Sequence, residues 1–254
     1  MKITAEYVDL LTPEGGQIRT FLATPQCIDK YPAILFYSDI FQLTGPMLRS
    51  CARLAGYGFV VAAPEIYRRI ESTGLVLPFD DAGRARGLED AGKTPVAHFD
   101  ADCRTVLDYL QEHPAVAPGQ IGAAGFCIGG HLAFRAALQP DVRATVCFYG
   151  TGIHNGVLGK DPDAGSLQRA AEIRGELLLV WGASDPHIPE EGRKRIEEVL
   201  REAGTNFSQR LYHAEHAFMR DEGSRYDPEA TDKAFSEMIR LYRSVFAGKR
   251  KTHG

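Results

Sequence analysis

Residues 121–134, IGAAGFCIGGHLAF, decide how this chain folds. Small and apolar residues run into Gly125-Phe126-Cys127-Ile128-Gly129-Gly130, and apolar helix formers follow without a break. Packing alone does not ask for a cysteine with glycines two before and two after it at an abrupt strand-to-helix junction. A tight, strained turn that must project one reactive side chain does, because side chains at the flanking positions would clash across it. The helix starting near Ile128 aims its amide-rich end at the turn, which favours a thiolate and any oxyanion formed beside it. The competing readings are a buried structural cysteine and a phosphate loop. GFCIGGH has neither the GxGxxG spacing nor the Lys-Ser/Thr of a phosphate loop, which weakens the second.

Outward from the turn, buried strands alternate with helices. PAILFY (32–37), GFVVAAP (58–64), RATVCFYG (143–150) and ELLLVWGASD (176–185) are the apolar runs of strands buried on both faces. Between them lie helical patterns: PMLRSCARLAGYG, the segment from Thr94 to His113 with Thr94 as N-cap and Pro95 in the first turn, and IGGHLAFRAALQP. PEEGRKRIEEVLREAG, the strand NFSQRLYH and a long helix from Asp227 or Pro228 complete the alternation. KITAEYVDLLT and QIRTFLATP, joined at Pro13-Glu14-Gly15-Gly16, read as a leading hairpin. The expected fold is α/β: a mostly parallel central sheet flanked by helices on both faces, with an N-terminal antiparallel hairpin. Residues 1–247 are expected to form a single domain and 248–254 a basic tail. Residues 65–94, polar and glycine-rich with Arg68, Arg69, Arg84 and Arg86, read as a long functional loop. A second loop region covers 150–173.

At 254 residues and 44% hydrophobic content the chain can bury a full core. Its net charge of −4 offers no basic stripe for nucleic acid or an anionic membrane. The opening MKITAEYVDLLTPEGG lacks the apolar stretch of a secretory signal, and no apolar run approaches the roughly 20 residues that span a bilayer. The five cysteines, Cys27, Cys51, Cys103, Cys127 and Cys147, are scattered and form no zinc spacing. They suit a reducing cytoplasm, and no metal or organic cofactor is expected.

A thiol presented this way needs a base and an acid, and in a sheet of this kind they follow it in the order acid, then histidine. Asp185 stands just beyond a buried strand in a turn made by Pro186 and Pro189, and His216 lies three residues past the last strand. His216 would take the thiol proton, and Asp185 would fix its tautomer and stabilise the imidazolium. Asp185 also reads as an ordinary turn residue ahead of proline. His213 competes with His216 but is expected to pack at the strand end, and His187 reads as a loop residue.

With GFCIGG around Cys127, WGASDPHIP around Asp185, HAEHAFMR around His216, and the flanking YSDIFQL and APEIYRR, the chain resembles the dienelactone hydrolase (carboxymethylenebutenolidase) family of α/β-hydrolases over nearly its whole length. The resemblance implies a small-molecule lactone or ester as substrate, carrying a carboxylate. It implies that Asp39, where the family more often has glutamate, helps generate the thiolate. It gives the backbone N–H groups of Ile40 and Ile128 as the oxyanion hole and Arg220 as the carboxylate-binding arginine, with an ordinary surface charge as the competing reading of Arg220. Arg84 or Arg86 would supply a second arginine. The expected protein is a monomer or small homo-oligomer. A general esterase or thioesterase is the nearest alternative, and a non-catalytic binding protein with the same pocket the more distant one.

Overall fold

Continuous apolar runs become the middle of one sheet. The computed structural model describes residues 1–26 and 29–247. The strands are β1 (Ile3–Leu11), β2 (Gln17–Pro25), β3 (Tyr31–Tyr37), β4 (Val60–Pro64), β5 (Val116–Phe126), β6 (Val142–Phe148), β7 (Glu176–Gly182) and β8 (Phe207–Tyr212). They form an eight-stranded sheet in the order β1-β2-β4-β3-β5-β6-β7-β8. β1 and β2 are an antiparallel hairpin, β2 runs antiparallel to β4, and every pairing from β4 to β8 is parallel. The sheet is thus mostly parallel with an antiparallel lead-in, as the sequence predicts.

Among the described residues six α-helices cover it: α1 (Gly45–Gly56), α2 (Asp81–Lys93), α3 (Val96–Glu112), α4 (Ile128–Ala136), α5 (Glu190–Glu202) and α6 (Pro228–Phe246). Alternation along β3 sorts the layers, since successive side chains of a strand point to opposite faces. Ile34 meets Tyr242 of α6 over Gly122, where an added Cβ would come within 3.0 and 3.1 Å of the two side chains. Tyr37 points the other way and hydrogen-bonds Cys103 of α3. α1 joins α6 through Arg53–Asp232 and the Tyr57–Phe235 ring contact. α4 joins α3 through a two-pronged Arg135–Asp100 pair at 2.7 and 2.5 Å. The Tyr242 hydroxyl donates to the Ala123 carbonyl at 2.6 Å, pinning α6 to the strand that leads into the turn at Cys127. At the hairpin end, Arg68 and Arg69 both reach Glu14 and Asp102, so the β1–β2 turn is tied to α3.

Residues 65–94 are not one irregular loop. Their second half is α2, capped by the Asp80 side chain, which accepts from the Gly83 N–H at 2.7 Å. The glycines that suggested a loop are packing positions: a Cβ on Gly83 would sit 2.1 Å from the Pro78 carbonyl oxygen, and one on Gly87 2.6 Å from that of Ile40. Thr94 closes α2 instead of opening the next helix. Its hydroxyl donates to the Asp90 carbonyl at 2.8 Å, and Pro95 is the N-cap of α3. The 150–173 region carries one short 3-10 helix, Leu167–Glu172. The expected tail at 248–254 lies outside the described residues.

α4 is buried along its whole length and carries two polar side chains that hold the 150–166 segment. His131 pairs through Nδ1 with the Thr151 carbonyl at 3.0 Å and through Nε2 with the Ser166 hydroxyl at 2.8 Å. Arg135 donates to the Ala164 carbonyl at 2.8 Å. Since a carbonyl only accepts, Nδ1 carries the proton and Nε2 accepts from Ser166. Burial first, and then the charges of Arg135 and His154, push His131 down to about 3 against the help of the Thr151 carbonyl. An unfolded chain titrates histidine near pH 6.5. The unfolded state therefore binds the extra proton between about 6.5 and about 3, and native stability falls as pH drops through that window. Urea unfolding at pH 7 and pH 4.5 checks this: His131→Gln should lose less stability between the two, by about 2 kcal/mol, than the wild type.

Candidate active site

β5 enters the turn and α4 leaves it within one residue. Cys127 has φ 58° and ψ −121°, a conformation few non-glycine residues adopt. The flanking glycines explain how it survives. A Cβ on Gly125 would lie 1.9 Å from the Gly129 carbonyl oxygen, and one on Gly129 would lie 2.2 Å from that of Ser38. The turn is held by the Cys127 N–H donating to the Phe148 carbonyl at 3.1 Å. The Cys127 carbonyl accepts from Gly130 at 2.9 Å and Thr151 at 3.2 Å.

β7 and β8 deliver the partners. Asp185 follows β7 in a tight turn, its Oδ1 accepting from the His187 N–H at 2.8 Å. Its Oδ2 meets His216 Nδ1 at 2.7 Å, and both side chains are buried. His216 lines the same cavity as Cys127. Burial works against a charged imidazole here. The Cys127 sulfur nearby and the Asp185 carboxylate, which accepts from Nδ1, outweigh it, and His216 is pushed up to about 10. Cys127, Asp185 and His216, far apart in sequence, therefore share one cluster.

The loop after β3 brings Asp39 and Ile40 to the same place. Asp39 accepts from the Phe41 N–H at 2.9 Å and lies 3.7 Å from an Arg220 guanidinium nitrogen. Burial raises the Asp39 carboxyl above its usual range against the Phe41 N–H and the charges of Arg220 and His216. Among the described residues, neither the Ile40 nor the Ile128 N–H has a protein acceptor, so both are free to receive an oxyanion. Arg220 is no ordinary surface charge: its side chain is 16% exposed, with the guanidinium 4.3 Å from the Phe79 ring centre and 5.2 Å from that of Phe41.

These groups line an open cavity of about 410 Å³. Arg84, on α2, lines it as well. Arg86 does not: it turns away, with Nε and Nη2 each 2.6 Å from Glu71, which corrects its place among the candidate binding residues. His213 follows β8 in solvent and does not pack there. Sequence reasoning set His187 aside as a loop residue and missed Arg225; the His187 ring stands edge-on to His216 with centroids 4.7 Å apart, and both residues line the cavity. His187 was visible as a neighbour of Asp185, whereas Arg225 sits in the polar run DEGSRYDP without any pattern to mark it. Among the described residues there is no group of three or more His, Cys, Asp or Glu side chains placed to hold a metal. No helix among them is long and apolar enough to cross a membrane.

A strained elbow at the carboxyl edge of such a sheet, with an acid after β7 and a histidine after β8, is the architecture of an α/β-hydrolase. Residues 18–246 match the model of the dienelactone hydrolase family, and the chain belongs to that family. It is 36% identical over 252 residues to a Saccharomyces cerevisiae protein named "Putative carboxymethylenebutenolidase", covering 95% of this chain and 92% of that one. It is 26% identical over 232 residues to the carboxymethylenebutenolidase of Pseudomonas sp. strain P51, covering 91% and 92%. Among solved structures, a "Putative Dienelactone Hydrolase" from Klebsiella pneumoniae superposes with a TM-score of 0.84 at 24% identity, covering 95% of this chain and 99% of that one. The protein is a hydrolase of lactones or carboxylic esters.

The elbow also sets thiol reactivity. Cys51, Cys103 and Cys147 are buried, whereas Cys127 is partly exposed. Burial pushes the Cys103 thiol up to about 12 and those of Cys51 and Cys147 higher still. Cys27 lies outside the described residues. Limited alkylation with iodoacetamide followed by peptide mapping should label Cys127 well before Cys51, Cys103 and Cys147. Earlier labelling of any of these three would contradict the burial pattern.

Proposed function

We propose that the protein hydrolyses a lactone or small ester bearing a carboxylate, through an acyl-thioester on Cys127 with His216 and Asp185 as its catalytic partners. The supporting observation is the Asp185–His216 hydrogen bond, with His216 and the strained Cys127 lining one cavity. The Cys127 thiolate attacks the carbonyl carbon and forms a C–S bond, while the carbonyl oxygen takes the electron pair and is received by the Ile40 and Ile128 N–H groups. Collapse of this adduct breaks the C–O bond, and the leaving alkoxide or enolate takes the proton from the His216 imidazolium. Neutral His216 then removes a proton from water, which attacks the thioester and releases the acid and the thiolate. Asp185 holds the tautomer throughout and stabilises the imidazolium.

Arg220 would hold the substrate carboxylate in a two-pronged hydrogen bond, orienting the ring carbonyl over Cys127. That carboxylate competes with Asp39 for the guanidinium. Asp39, already raised by burial, then becomes a proton acceptor beside the thiol and assists its ionisation.

The test is a panel of lactones and esters with mass detection of the intermediate. A rapid quench should reveal an acyl adduct on the Cys127 peptide, and Cys127→Ala should lose both adduct and turnover. Turnover that survives in Cys127→Ala would end the thioester reading. A second measurement reads Arg220: Arg220→Ala and Arg220→Lys should each raise KM for acidic lactones, by about tenfold, and leave neutral esters nearly unchanged. Equal losses on both substrate classes would point instead to a general esterase.

A further inference from the structure

The cavity carries more positive charge than one carboxylate can balance. Arg220 faces Asp39 on one side of the site, and His216 is held by Asp185. Arg84 and Arg225 remain. Both line the cavity, and both are exposed at its mouth. Among the described residues neither side chain has a hydrogen-bonded or ion-paired partner, while Arg86, two positions from Arg84, is engaged by Glu71.

Arg220 also lines a narrower recess with Asp39, Met47 and Tyr149, whose lining includes neither Arg84 nor Arg225. His187 lies under the influence of both: burial, the neighbouring His216, and then the Arg225 and Arg84 charges hold its imidazole below the ordinary value against Asp185. The arginine that acts on Asp39 is Arg220. His187 packs edge-on against His216 and lines the cavity with Arg84 and Arg225. Leu88 and Val157, 53% and 47% exposed, line the cavity along with the two arginines and offer an apolar surface for the part of the substrate in between.

We propose that Arg84 and Arg225 form a second anion subsite, and that the substrate is a dianion with one carboxylate toward Arg220, a second toward Arg84 and Arg225, and an apolar body between them. This rests on the proposed function only for the carboxylate at Arg220. The charge pattern exists without it, and a test by binding separates the two. Titration calorimetry on the wild-type protein with straight-chain dicarboxylates from glutarate to suberate, and with the monoamide of each, measures the worth of the second carboxylate without any turnover. At least one diacid should bind about tenfold more tightly than its monoamide, as a charge-assisted hydrogen-bonded contact implies. Arg84→Gln and Arg225→Gln should each shrink that ratio, and the double variant should bring it to about one. Arg220→Gln should weaken diacid and monoamide alike. Equal affinity of diacid and monoamide across the series, or a ratio undiminished in the double variant, would overturn the second subsite. The acyl-adduct experiment on Cys127 stands or falls separately.

Discussion

Two carbonyl oxygens occupy space that almost any other residue would fill. The Gly129 oxygen is where a Cβ on Gly125 would have to be, and the Ser38 oxygen is where one on Gly129 would be. Because the backbone is bare at these two positions, β5, the start of α4 and the loop after β3 approach one another directly. Cys127 is thereby forced into a left-handed conformation that costs on the order of 1–3 kcal/mol. The buried α4, and the hydrogen bonds from Phe148, Gly130 and Thr151, hold it there. The same approach brings Ile40, Cys127 and Ile128 to one cavity, so three of the candidate site residues follow from one steric fact.

Around that turn the charges are arranged in pairs. Asp185 meets His216, and Asp39 stands near Arg220, each within a part of the protein where an unpartnered charge would be costly. Behind the elbow, His131 and Arg135 tie the 150–166 segment to α4 with polar contacts made inside the core. One helix thus positions the thiol at its first turn and the cavity wall further along.

Much of this is legible in the residues. The buried strands are continuous apolar runs, the turn announces itself by glycine spacing, and the order Cys127, Asp185, His216 follows from where strands end. What escaped has physical reasons. α2 contains Gly83, Gly87 and Gly92, whose low helix propensity reads as loop, yet two of them are there because a neighbouring carbonyl leaves no room for a side chain. Thr94 carries a hydroxyl suited to opening a helix and uses it to close one, which depends on where Asp90 falls. Arg84 and Arg86 are equivalent in composition, and only the position of Glu71 separates them. His187 and Arg225 reach the site through tertiary packing, which no local spacing encodes.

The close contact of Gly87 with the Ile40 carbonyl joins a wall of the cavity to the loop after β3. α2 and Ile40 are packed without slack. On the proposed reading, in which the neighbouring Ile40 N–H receives an oxyanion, movement of α2 wide enough to admit a bulky molecule would also shift the residue that carries this donor. Access to the cavity and the aim of that group would then be mechanically coupled, the site being set only with α2 seated.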